Sequence, residues 1–341
     1  MSDPNSRYSR QERFGPIGEE GQTRIGQSRA VVIGCGALGS MIAERLVRAG
    51  VGFLRLVDRD WVELSNLQRQ TLFDEEDATE SRPKAVAAQQ KLAKINSTVE
   101  IDASVEDVDY RSIATLAGDC DLILDGTDNF ETRFLINDFC VREKKPWIHA
   151  GCLGASGQIL SIVPCKSACF RCLVPDLPPR DGIETCDSAG VLGSAIGIIA
   201  SWQAGEALKV LSGNEQAVCP GLIVLDTWNN DCRIVDLRRS ENCPCCVHGE
   251  YPFLDGEIRT TASVLCGKNA VQLESPQAAG ESLDTIARKV AEQGELKQNA
   301  YFVKLALPKY HLTIFRGGRT IVEGTTCENE ARNIVARLLG S

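Results

Sequence analysis

Histidine is scarce: three residues in 341, at His149, His248 and His311. They are too few and too scattered for a histidine metal site or a catalytic triad. His149, at the end of an apolar strand pattern, reads as a satisfied core residue. No long hydrophobic run is present. The longest apolar stretch, around 191–200, is broken by Gly193 and Gly197, so it is not a membrane span. The opening MSDPNSRYSRQERFG has no apolar segment of the kind an export signal needs, so a cytoplasmic location with reduced thiols is expected. Positive charge is in deficit: 37 Lys and Arg against 46 Asp and Glu leave a net charge of −9. That balance argues against nucleic acid as the main partner. A P-loop is not indicated, because Gly267-Lys268-Asn269 lacks both the leading Gly spacing and the Ser/Thr. No internal repeat or low-complexity tract occurs.

What is present is a globular composition, 43% hydrophobic and 24% charged, long enough for one large or two ordinary domains. The 15 cysteines do not read as a disulfide framework. Several sit inside strand or helix patterns, so metal ligation or catalysis is their expected special use. Residues 29–148 alternate helix and strand, with helices expected at 83–95, 109–116 and 130–144. This predicts an α/β fold with a Rossmann-like, doubly wound, mainly parallel sheet. After Gly151 the strands at 158–163, 223–225 and 233–237 are longer and partly antiparallel, with a helix at 194–211 between them. The Ile198/Ile199/Trp202 stripe on that helix is core or dimer interface. Turn formers in CVHGEYPFLDG mark a boundary. They place a first domain at 1–248 and a small α+β domain at 257–341, with helices at 283–292 and 328–339.

The stretch from Val31 to Arg69 organises the first domain. An apolar strand leads to Gly34-Cys35-Gly36-Ala37-Leu38-Gly39, then an amphipathic helix, then a second apolar run ending at Asp58. This is the order of a nucleotide-binding βαβ unit. Gly34 permits the tight turn, Gly36 lets backbone approach phosphate, and Gly39 lets helix pack on strand. Asp58 is placed to accept ribose hydroxyls. Dehydrogenases use the same motif, so the residues beyond Asp58 decide. Arg69 and Lys84 fall near the carboxyl edge of the expected sheet. Asp128, just past the strand DLILD, could bind Mg²⁺ carried by a nucleotide or could N-cap the next helix.

Cysteines form a second constellation. Cys169/Cys172 and Cys243/Cys246 are two CxxC pairs, each spaced for two thiolates on one Zn²⁺. Cys245 is an alternative to Cys246, and coincidence or a redox CxxC are alternatives to zinc. Cys186 lies in the polar loop PPRDGIETCDSAGV and is the candidate nucleophile. Arg180 would lower its pKa, whereas Asp181, Glu184 and Asp187 would raise it. The sequence leaves covalent catalysis open.

Together, Arg7-Tyr8-Ser9-Arg10-Gln11, GCGALG, Asp58-Arg59-Asp60, SNLQRQ, Pro83-Lys84, TDN with Arg133 and Thr185-Cys186 resemble the ThiF/MoeB group. These are bacterial relatives of the ubiquitin-activating enzymes. Gln203-Ala204, Glu206-Ala207 and Lys209 match as well, so the resemblance spans about 7–246. Ala37 departs from the usual Gly, but one added methyl should still admit phosphate.

The resemblance implies an adenylyltransferase. It would use ATP and Mg²⁺ to activate the C-terminal Gly-Gly carboxylate of a ubiquitin-like sulfur carrier, for thiamine or molybdenum-cofactor sulfur chemistry. It implies phosphate contacts from Arg69 and Lys84, Mg²⁺ on Asp128 and ribose on Asp58. Ser65, Asn66 and Asn129 would lie beside the nucleotide, Arg10 would come from the partner of a homodimer, and zinc would bind the four CxxC thiols. Some relatives with a Cys at position 186 form a covalent carrier adduct and some do not. The C-terminal domain resembles an extension of some ThiF/MoeB proteins. It lacks a rhodanese loop, and a carrier-docking or dimer-supporting role is expected of it. An NAD(P)-dependent oxidoreductase explains neither Arg69, Lys84 and Asp128 nor the CxxC pairs. An activator of another ubiquitin-like or peptide substrate stays open.

Overall fold

The computed structural model describes residues 7–178, 186–258, 262–265, 269–275, 278 and 280–339, except for the side chains of 186, 187, 262–265 and 274. The chain divides into two compact units, Met1–Ile258 and Arg259–Ser341.

Eight strands make one sheet in the first unit: β1 (Arg29–Ile33), β2 (Phe53–Val57), β3 (Glu100–Ser104), β4 (Leu122–Asp125), β5 (Trp147–Leu153), β6 (Ser156–Ile162), β7 (Leu222–Asp226) and β8 (Asp231–Val235). Their spatial order is β3-β2-β1-β4-β5-β6-β7-β8. The first five pair in parallel, and β6, β7 and β8 extend the sheet antiparallel. β1 is apolar on both faces because both are covered. Ala30 and Val32 enter a cluster with helices Ala37–Ala49, Lys84–Ile95 and Gly193–Leu211. Val31 and Ile33 enter another, with helix Phe130–Glu143. Connections leave β1 toward β2 and β4 toward β5 in opposite directions, so a crevice opens at the carboxyl ends of β1 and β4.

Two local expectations change. The helix expected at 109–116 is shortened to Ile113–Ala117. Asp109 Oδ1 accepts the amides of Arg111 (2.8 Å) and Ser112 (2.9 Å), a side-chain turn that competes with helix. A short helix, Glu75–Thr79, forms where none was expected, closed by reciprocal side-chain-to-amide bonds between Asp74 and Asp77. The apolar stripe of helix Gly193–Leu211 divides: Ile199 is in the core, whereas Ile198 is 47% exposed.

The second unit is a six-stranded antiparallel sheet: β9 (Ala262–Leu265), β10 (Ala270–Glu274), β11 (Glu295–Gln298), β12 (Phe302–Ala306), β13 (His311–Phe315) and β14 (Arg319–Glu323). Their order is β11-β12-β13-β14-β10-β9. Val303, Leu305, Leu312, Ile314 and Val322 alternate onto one face, under helices Leu283–Val290 and Glu328–Leu339. Among the described residues, no helix is long and apolar enough to cross a membrane.

Candidate active site

From Ile33 the chain turns through Gly34-Cys35-Gly36 into helix Ala37–Ala49. Gly34 takes φ +87°, and a Cβ there would lie 2.7 Å from the Gly126 carbonyl oxygen. A Cβ on Gly39 would stand 1.7 Å from the Gly34 carbonyl oxygen. Gly36 differs: the nearest atom to its missing Cβ is Gln70 Nε2, 3.9 Å away. Two glycines therefore serve packing, and the third keeps space open before the turn. The helix begins with no side-chain cap and no acid in its first turn. Its first amides and positive dipole end are left to an anion.

At the end of β2, Asp58 holds this turn. Its Oδ2 accepts the Cys35 amide at 2.6 Å and its Oδ1 the Asp60 amide at 2.7 Å. Burial pushes the Asp58 carboxyl above its usual range, with Lys84 opposing. Lys84 opens its helix, is buried, and places Nζ 3.8 Å from Asp60 Oδ2. Burial alone would lower its ammonium, but Asp58, Asp60, Asp128 and Glu63 outweigh that and hold it above the ordinary value. One ammonium thus faces four carboxylates. Arg59 adds a cation near Asp128, yet it pairs with Asp107 at 2.7 Å. The balance favours a divalent cation arriving with a polyphosphate.

Asp128 is exposed beyond β4. The cap of helix Phe130–Glu143 is supplied instead by Asn129, whose Oδ1 accepts the Thr132 amide at 2.9 Å. Of the two readings of Asp128, N-capping therefore goes to its neighbour. Asn66 is buried and its Oδ1 accepts the Glu63 amide at 3.2 Å, within a reciprocal cap on the turn Leu64–Asn66. Ser65 Oγ lies 3.5 Å from Glu63 Oε2, and Arg69 Nη1 donates to the Ser65 carbonyl at 2.9 Å.

The thiols of Cys169, Cys172, Cys243 and Cys246 lie within 4.8 Å of one another. Sγ–Sγ distances are 3.8 Å for Cys169–Cys172, 3.5 Å for Cys169–Cys243 and 3.6 Å for Cys172–Cys246. Four sulfurs at about 2.3 Å from a tetrahedral zinc would stand about 3.8 Å apart, so the donor set fits Zn²⁺. Burial pushes the Cys172 and Cys246 thiols up, and a cation is what would make them thiolates. Cys245 is outside this quartet, its Sγ accepting from Asn137 Nδ2 at 3.2 Å.

With this geometry in place, a family model described as the ThiF family matches residues 8–245. The chain belongs to the ThiF family. A Bacillus subtilis protein named sulfur carrier protein ThiS adenylyltransferase is 40% identical over 338 residues, 98% of this chain and 99% of that protein. An Escherichia coli protein of the same name is 39% identical over 241 residues, 70% of this chain and 94% of its own. The second unit is therefore matched in the Bacillus relative. Among solved structures, E. coli MccB with MccA-N7isoASN superposes with a TM-score of 0.64 at 22% identity. That match covers 72% of this chain and 75% of MccB, and it is a likeness of fold.

The ThiF-family fold gathers Gly34, Gly36, Ala37, Gly39, Asp58, Lys84 and Asp128 at one sheet edge. It does not bring Arg10 there. Gln11 Nε2 bonds the Ala49 carbonyl at 3.0 Å, and the Tyr8 ring lies over Gly50. Arg10 is thus fixed at the far end of a 13-residue helix, about 20 Å from the Gly36 end. Cys186 begins the short helix Cys186–Ala189, and Arg180, Asp181, Glu184 and Thr185 lie outside the described residues. Sequence reasoning passed over Gln70, whose buried Oε1 has no hydrogen-bond partner beside the open Gly36 turn. Its place in SNLQRQ was the available signal. Asp60 was also passed over, and its position two residues after Asp58 was the clue.

Proposed function

We propose that the chain is an ATP-dependent adenylyltransferase of a ubiquitin-like sulfur carrier ending in Gly-Gly. The carrier's terminal carboxylate attacks the α-phosphate of ATP, the bond between the α- and β-phosphates breaks, and carrier acyl-adenylate and pyrophosphate result. The observation that carries this reading is the edge itself: an open, uncapped Gly36 turn with Lys84 and the exposed Asp128 beside it. The names of the Bacillus and E. coli relatives support the same reaction and a thiamine-type carrier, ThiS.

A carboxylate approaching a polyphosphate meets repulsion, so cations must stand in place beforehand. Lys84 supplies fixed charge at the phosphates, and Arg69, whose guanidinium now rests on the Ser65 carbonyl, would add a second cation by turning toward them. Asp58 orients the Gly-rich turn and takes the ribose. Asp128 would hold Mg²⁺, which supplies charge neutralisation to the phosphates. Ser65, Asn66 and Asn129 keep their turns in register beside the nucleotide. Arg10 is too far to serve its own site, which supports a homodimer in which each Arg10 completes the partner's. The CxxC thiols would hold a structural zinc, and the chain would act in the cytoplasm, where such thiols stay reduced. Cys186 is the thiol that would take the acyl group as a thioester, with AMP leaving, and trapping of that adduct by wild type and not by Cys186→Ser tests it.

The test is ATP–pyrophosphate exchange with Mg²⁺ and a carrier, beside the same carrier lacking its last two glycines. Exchange with the first and none with the second is expected. Equal exchange with both, or with neither across ThiS- and MoaD-type carriers, would overturn the carrier assignment.

A further inference from the structure

We propose that His149 is a positioning residue, which through Asp125 fixes the Thr127–Asp128 turn at the nucleotide site. The inference rests on the reading that Asp128 binds the cation accompanying ATP.

His149 and Asp125 have no solvent exposure. Asp125 ends β4 on the face that β5 shares, and His149 Nδ1 lies 2.6 Å from Asp125 Oδ2. The other carboxylate oxygen, Oδ1, accepts both the amide (2.7 Å) and the hydroxyl (2.6 Å) of Thr127. Arg133 closes the ring: Nη2 donates to the Thr127 carbonyl at 2.6 Å, and Nε stands 3.5 Å from Asp125 Oδ2. The residue after Thr127 is Asp128. Two side chains, Asp125 and Arg133, thus bond the turn that presents it, and His149 holds the first of them.

Chemistry assigns the tautomer. An ionised carboxylate only accepts, so Nδ1 carries the proton. Nε2 is buried with no partner, and the ring lies 4.9 Å from that of Phe170, edge-on, and 5.6 Å from that of Trp147. A second proton there would be a buried, unmatched N–H, so the imidazole stays neutral. Burial accordingly holds His149 below its ordinary value despite Asp125. Asp125, despite burial, stays below the usual range because His149, Arg133 and Thr127 hold its charge. Phe170 is itself tied down, its amide donating to Asn137 Oδ1 at 2.8 Å. Imidazole orientation is therefore set by packing rather than by solvent.

The test measures the gain in ATP affinity that Mg²⁺ confers, by calorimetry with and without EDTA, for wild type, Asp128→Ala, His149→Leu and the double variant. His149→Leu should lower the affinity with Mg²⁺ at least fivefold and leave Mg²⁺-free affinity within twofold. It should add nothing in the Asp128→Ala background, because positioning a missing carboxylate has no effect. His149→Asn, whose amide N–H falls near the Nδ1 position, should recover most of the gain. Should the leucine variant fail to fold, Asp125→Asn carries the same comparison. Equal losses with and without Mg²⁺, or additive losses in the double variant, would overturn the positioning role alone. A Mg²⁺ gain that survives Asp128→Ala would overturn the cation role as well.

Discussion

Gly36 and Gly39 lie three residues apart in one motif, yet the structure assigns them different penalties on acquiring a methyl group. At Gly39 the new Cβ would stand 1.7 Å from the Gly34 carbonyl oxygen, half the 3.4 Å at which ordinary contact begins. Both partners are anchored on backbone, so no side chain can swing aside. Overpacking costs about 1–3 kcal/mol where neighbours adapt, and here, where they do not, at least about 3 kcal/mol. Alanine recovers about 1 kcal/mol of helix propensity. The net for Gly39→Ala is a destabilisation of at least about 2 kcal/mol, or at least about 4–8 °C in Tm for a unit this size. At Gly36 the Cβ would meet only Gln70 Nε2, at an unstrained 3.9 Å, so Gly36→Ala should stay within about 1 kcal/mol of wild type. Its methyl would occupy the space kept for phosphate, and ATP affinity should fall at least about tenfold, or 1.4 kcal/mol. Urea unfolding followed by circular dichroism gives the first quantity and calorimetry with Mg·ATP the second. The reasoning is refuted if Gly36→Ala is as destabilising as Gly39→Ala, or if it binds ATP like wild type.

Three further predictions follow the same logic. Arg55 and Arg29 hold the Asp119 carboxyl down from 3.8 to about 2, so its contribution is full above pH about 4 and is lost as pH falls toward 2. Its side chain is 46% exposed, so screening reduces the effect: Asp119→Asn should cost about 1 kcal/mol at pH 7. That difference should shrink to a small fraction by about pH 2 in denaturant titrations, and a pH-independent difference would contradict the ion-pair origin. Cys243→Ser should abolish bound zinc in metal analysis and lower Tm, whereas Cys232→Ser, at an exposed thiol, should retain both; retained zinc in the first would contradict the four-thiol site. Arg10→Ala and Asp128→Ala chains, each inactive alone, should regain about a quarter of wild-type exchange when mixed and allowed to re-pair. No recovery would contradict an Arg10 acting across the dimer.

Local pattern carried much of this architecture. The β1–helix–β2 unit was legible because its apolar periods change sharply at glycines whose absent Cβ the packing requires. Helix Phe130–Glu143 and the antiparallel extension after Gly151 were legible for similar reasons. β11 was not, because Glu295-Leu-Lys-Gln298 is polar and owes its strand to pairing with β12. Helix Glu75–Thr79 was hidden because acids that look like surface charge in sequence are its caps. The site divided in the same way. That Lys84 and Asp128 come to the same sheet edge depends on strand order, which no local signal encodes. His149 reads as a core residue in sequence and is one in the structure. Its partner Asp125 lies on a neighbouring strand 24 positions away, beyond the reach of periodicity.

The central claim is that a carrier carboxylate is joined to AMP at the Gly36–Lys84–Asp128 edge. The most direct measurement is the intact mass of a Gly-Gly carrier incubated with the enzyme, ATP and Mg²⁺, with pyrophosphatase present to draw off the product. A carrier heavier by one adenylyl group, formed by wild type and not by Asp128→Ala or Lys84→Met, is the predicted result. An unmodified carrier with ATP cleaved to ADP and phosphate would contradict the claim.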